Sequence, residues 1–129
     1  MAFHAHKGQT RRGGNVPFIV HPIRVSKWFD DEMIKTACLL HDVVEDTFVT
    51  VDDIKYNISF EVGILVDTLT RRKGEKYFDY IERVSVGEDS SQIKIADIID
   101  NLSDNPKPTT VPRYIKSLEF LLNKYEFTW

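Results

Sequence analysis

The sequence predicts an all-α fold: a compact bundle of about seven or eight helices, formed by a single domain over residues 1–129. Three observations carry that reading. Apolar residues recur three and four positions apart through most of the chain. Asp, Thr and Ser stand where helices would begin, while Gly, Asn and Pro stand where they would stop. No run of alternating apolar and polar residues lasts more than a few positions, so strands have little to build on. With 42% hydrophobic residues in a chain of 129, one core can form and a second domain has no room.

A short helix is expected up to His6. Gly8, Gly13, Gly14, Asn15 and Pro17 then mark an irregular loop that holds Arg11 and Arg12. Pro22 suits the first turn of a helix running to about Phe29, with Ile23, Val25 and Trp28 as apolar anchors. Asp30 or Asp31 caps the next helix. Its residues Ile34, Ala37, Cys38, His41 and Glu45 share one face until Thr47 and Phe48 end it. Thr50, followed by Asp52 and Asp53, opens a short helix to about Asn57. Ser59 opens another on Val62, Leu65, Val66 and Leu69. Gly74 precedes a helix carrying Tyr77, Ile81 and Val84. After a loop at Gly87 to Asp89, Ser90 or Ser91 begins a helix that uses Ile95, Ile99 and Leu102. Pro106, Pro108 and Pro112 bound a connector. The closing helix carries Tyr114, Ile115, Leu118, Leu121, Leu122 and Tyr125.

A net charge of −3 argues against a nucleic-acid surface. Basic residues do gather locally, at Lys7, Arg11 and Arg12 and again at Arg71, Arg72, Lys73 and Lys76, in groups that suit a small anionic ligand. The one cysteine, Cys38, lies among Ala37, Leu39 and Leu40 and reads as a small buried residue in a reducing compartment. The opening residues MAFHAHKGQTRR lack an apolar signal core, and no apolar run reaches bilayer length. A cytoplasmic protein with no membrane partner is therefore expected. Trp28, Phe29, Tyr125, Phe127 and Trp129 are candidates for a self-association patch, with ordinary core packing the simpler reading.

The chemistry concentrates in LLHDVVEDT. His41 continues the apolar face of its helix, and Asp42, Glu45 and Asp46 add three carboxylates where the pattern predicts burial. Buried carboxylates lose their hydration, so cations must compensate them. His21 stands in FIVHPIRV, and Asp97 stands among Ile93, Ile95, Ile98 and Ile99, where an aspartate should be paired or metal-bound. Asn101 and Asp104 extend a polar stripe along the same helix. Two imidazoles and two carboxylates make a nitrogen–oxygen donor set that suits manganese, iron, cobalt or zinc better than magnesium. A divalent metal with spare carboxylates for proton transfer points to hydrolysis of a phosphate ester or anhydride.

The order His, then His-Asp, then Asp on separate helices resembles the HD superfamily of metal-dependent phosphohydrolases. More narrowly, the chain resembles the alarmone hydrolase domain of the RelA/SpoT family through AHKGQTRR (5–12), PFIVHP (17–22), ACLLHDVVEDT (37–47) and KIADIIDNLSD (94–104), with weaker likeness at VDTLTRRKGEKY (66–77). That resemblance implies an HD-type helical domain and Mn²⁺-dependent removal of the 3′-pyrophosphate from (p)ppGpp. His21, His41, Asp42 and Asp97 would be the metal ligands. Glu45 and Asp46 would be the acids that orient and deprotonate water. Arg11 and Arg12 would lie near the guanine base and Asn101 near the nucleoside. Apart from the resemblance, the basic clusters make Lys7 and Lys73 candidates to neutralise the leaving pyrophosphate. Nothing after Asp104 resembles the family's synthetase domain, which implies a stand-alone small hydrolase. The chain departs from the family pattern at Ile98, where a basic residue is usual, at Asp100, and in a longer loop over 12–17. Another nucleotide substrate, such as NADPH, and a non-catalytic nucleotide-binding module are the alternative readings.

Overall fold

A computed structural model describes residues 1–10 and 17–125, with Phe3 described by its backbone alone. Among these residues the regular structure is helical, apart from an isolated antiparallel bridge between Thr10 and Pro17. There are nine α-helical segments, two of them single turns of four residues. The all-α prediction therefore holds. The chain forms two compact units, Met1–Thr70 and Arg71–Trp129.

The first unit contains α1 (Ala2–Ala5), α2 (Val20–Ser26), α3 (Glu32–Leu40), α4 (Val43–Asp46), α5 (Val51–Asn57) and α6 (Phe60–Leu69). Local signals set most of the starts. Asp31 accepts the Ile34 amide at 3.0 Å and caps α3. Thr50 and Asp53 exchange side chain-to-backbone bonds at 3.1 and 2.9 Å, a reciprocal cap that opens α5. Ser59 caps α6 by a single bond, its hydroxyl accepting from the Val62 amide at 3.4 Å. α3 packs against α2 and α6, and α5 against α6, around Val25, Ala37, Cys38, Leu40, Ile54 and Val66. The approach of α5 to α6 depends on Gly63, where an added Cβ would sit 2.3 Å from the Lys55 Cγ.

The second unit holds α7 (Tyr77–Val84), α8 (Glu88–Ser103), a 3₁₀ turn at Pro108–Thr110 and α9 (Val111–Tyr125). Gly74 takes a positive φ of 79° just before α7, a backbone state that L side chains resist. α8 packs against α7 and α9, with Ile81, Val84, Ile93, Ile95, Ile98 and Leu121 buried. The end of α9 is tied down by Lys124, whose Nζ reaches Ser85 Oγ at 3.0 Å, and by Tyr125, whose hydroxyl donates to the Ser85 carbonyl. Phe127 and Trp129 lie outside the described residues.

Several expected boundaries moved, each for a local reason. α2 stops at Ser26 rather than Phe29 because the next three amides bond back only three residues, a tighter winding that buries Phe29 and leaves Trp28 41% exposed. Ile23 is exposed as well, so of the three expected anchors only Val25 is fully buried. α8 begins at Glu88, ahead of Ser90 and Ser91. Both hydroxyls donate to the carbonyls of Val84 and Gly87 instead of capping. Ile115 lies on the exposed side of α9.

Candidate metal centre

The expected helix through LLHDVVEDT is broken at His41-Asp42. The His41 Nδ1 donates to the Cys38 carbonyl at 2.5 Å, and the His41 amide points to the same oxygen at 3.5 Å. In an uninterrupted helix that carbonyl would serve the Asp42 amide. α3 therefore ends, and α4 restarts at Val43 with Asp42 at its N-cap. The break also changes which side faces water: Glu45 and Asp46 are exposed, against the burial expected from an unbroken helical face.

The same bond determines the chemistry of His41. With a proton held on Nδ1, the ring turns Nε2 toward Asp42, whose Oδ2 lies 3.0 Å away. His21, buried on α2 beside Pro22, brings its own Nε2 to 3.5 Å from that same oxygen. The two imidazoles cross at 66° with centroids 5.3 Å apart. His21, His41 and Asp42 each offer a ligand atom, all within 4.8 Å of one another. Two nitrogens and a carboxylate oxygen converging in this way fit a divalent cation and suit a borderline-soft one. The carbonyl behind His41 supplies the outer hydrogen bond that orients metal-binding histidines.

Asp97 lies in the second unit, on α8, 3% exposed. Lys94, one turn earlier, donates to its Oδ2 at 2.8 Å, and Asn101 Nδ2 lies 3.4 Å from Oδ1. Burial alone would push the Lys94 ammonium toward losing its proton. The Asp97 carboxylate, Tyr80 and Tyr77 together outweigh that and hold the lysine pKa well above its usual value. Tyr77 is shifted upward by its own burial, against the opposing pull of Lys94. The expectation that Asp97 needs compensation is met by Lys94, a partner the sequence reading passed over. Its i, i+3 spacing on a predicted helix was the signal available.

The remaining predicted residues divide. Asn101 and Asp104 are half-buried on α8 or at its end, while Lys7 and Lys73 are exposed. Arg11 and Arg12 lie outside the described residues. The Arg71 guanidinium donates to the Glu75 backbone carbonyl at 2.9 Å, the Arg72 backbone amide donates to the Glu75 carboxylate at 3.0 Å, and the Arg83 guanidinium grips that carboxylate at 2.9 and 3.0 Å. The Glu75 carboxylate is thus paired with Arg83, outside the 71–76 segment. Ile98 and Asp100, two of the departures, are both buried. Among the described residues no helix is long and apolar enough to cross a membrane.

A helical fold with a His, His-Asp group at a helix break matches the arrangement that the resemblance to HD-type domains implies. Comparison with known proteins narrows it. The chain is 37% identical over 79 residues to guanosine-3′,5′-bis(diphosphate) 3′-pyrophosphohydrolase of Vibrio cholerae, covering 58% of this chain and 11% of that protein. It is 31% identical over 115 residues to the Mus musculus pyrophosphohydrolase of the same description, MESH1, covering 80% of this chain and 64% of that one. A solved structure described as a metazoan ortholog of SpoT that hydrolyzes ppGpp superposes with a TM-score of 0.74 at 26% identity, over 95% of this chain and 90% of the other. No protein-family model matches the chain. It spans less than two thirds of the length of these curated relatives. The chain is a homologue of the HD-type (p)ppGpp hydrolase domains of the RelA/SpoT kind.

Proposed function

We propose that this chain is a metal-dependent phosphohydrolase that removes the 3′-pyrophosphate of (p)ppGpp, giving GDP or GTP and pyrophosphate, with Mn²⁺ as the metal. The observation that carries the reading is the break at His41-Asp42. It gathers His21, His41 and Asp42 and leaves Glu45 and Asp46 open to solvent one turn later. Asp97 is the fourth proposed ligand, supported by its burial on α8 and by its place in the order of matching motifs.

When bound, the cation would lower the pKa of a water and polarise the phosphorus. Glu45 or Asp46, on the exposed side of α4, accepts the proton as the water oxygen attacks the 3′-linked phosphorus; the bond to the 3′ oxygen breaks, that oxygen takes up a proton to become the 3′-hydroxyl, and pyrophosphate is released. Asn101 contacts the nucleoside, Arg11 and Arg12 the base, and Lys7 and Lys73 the phosphates. The cytoplasm, with the buried Cys38 thiol kept reduced, is the proposed setting.

Purified protein incubated with ppGpp should release pyrophosphate with Mn²⁺ and none with a chelator. Orthophosphate release from NADPH in place of pyrophosphate from ppGpp would move the substrate assignment to another nucleotide. Tight nucleotide binding without turnover in excess Mn²⁺ would make the chain a binding module.

A further inference from the structure

The turn that carries Asp46 is tied to the N-terminal segment by a hydrogen-bond relay. Gln9 Nε2 donates to the Asp46 carbonyl at 2.7 Å, across 37 positions of sequence. A carbonyl only accepts, so the Gln9 amide orientation is settled and Oε1 is left as an acceptor. His6 Nδ1 lies 2.7 Å from that Oε1 and therefore carries the ring proton. His6 is buried, its ring 4.7 Å from that of Phe18, and its Nε2 meets no hydrogen-bond partner. The main chain of Gln9 is held as well: its amide donates to the His6 carbonyl at 3.0 Å and its carbonyl accepts from Phe18 at 2.9 Å.

α4 is a single turn of four residues and cannot hold itself. The last carbonyls of a helix lack intrahelical donors, and the Gln9 amide supplies one at Asp46. A shift of about 1 Å in a group that must meet an attacking water costs about 10²-fold in rate.

We propose that His6 and Gln9 are positioning residues: His6 orients the Gln9 amide, and Gln9 holds the Asp46 turn where its carboxylate takes the proton. The inference rests on the proposed role of Asp46, so one readout must not depend on catalysis. Gln9→Glu keeps the length but puts a carboxylate where the carbonyl needs a donor. In that variant kcat for ppGpp should fall about 10- to 100-fold, with KM and Mn²⁺ affinity within about twofold of wild type. Backbone amide exchange over residues 43–49 should accelerate while exchange in α6 stays unchanged. His6→Leu should repeat this pattern. His6→Asn, whose Nδ2–H replaces the ring Nδ1–H, should restore both readouts. Wild-type exchange over 43–49 in Gln9→Glu overturns the tether, and faster exchange with unchanged kcat overturns its role in catalysis. If wild-type protein does not turn over ppGpp, the functional reading fails separately, and amide exchange with the His6→Asn rescue alone decides the tether.

Discussion

His41 and Cys38 share a 2.5 Å hydrogen bond from ring Nδ1 to carbonyl oxygen, and that one contact both ends a helix and selects the tautomer of a metal-ligand candidate. It couples fold to chemistry, because the carbonyl taken by the ring is the one helix continuation would need. Removing the ring should undo both consequences.

His41→Ala should lose metal binding and activity together. Replacing an outer partner of a metal ligand costs about 10–100-fold in affinity, so deleting the ligand itself should cost at least that much. Calorimetric titration with Mn²⁺, alongside the ppGpp assay, reads both. Retained metal affinity would remove His41 from the ligand set.

Asp46→Asn should separate binding from proton transfer. The side chain is exposed and its backbone carbonyl is already engaged by Gln9, so the fold has little reason to change. Loss of a general base lowers kcat by about 10²–10⁴-fold. Mn²⁺ affinity should be unchanged, and equal kcat in variant and wild type would pass the role to Glu45.

The Glu75–Arg83 pair should make the second unit acid-sensitive. Its hydrogen bonds from Arg83 pull the Glu75 pKa down from 4.5 to about 2. A carboxylate depressed in the folded state stabilises above its unfolded pKa and loses that contribution as pH falls through the folded value. The difference in thermal midpoint between wild type and Glu75→Gln should thus be full above about pH 4.5. It should close as the pH approaches 2. A difference that does not vary with pH would count against the ion pair.

Two stability changes follow from local structure. Thr50→Ala removes half of a reciprocal cap and should cost about 1 kcal/mol in urea unfolding. Leu121→Ala empties a fully buried position on α9 and should cost about 2–5 kcal/mol. A larger loss at Thr50 than at Leu121 would reverse the ranking of cap against core.

What sequence alone determined is whatever depends on near neighbours. The starts of α3, α5 and α6 follow from Asp31, Thr50 and Ser59, because an N-cap bonds an amide three residues away. The His-Asp pair and Asp97 stood out because uncompensated charge does not survive in apolar surroundings. Tertiary structure decided the rest. The break at His41, the exposure of Glu45, the bond from Gln9 to Asp46 and the convergence of His21 on Asp42 depend on where distant groups come to lie. Helical periodicity assumes that each carbonyl serves the amide four residues on, and a side chain that takes such a carbonyl for itself changes the register of every face that follows.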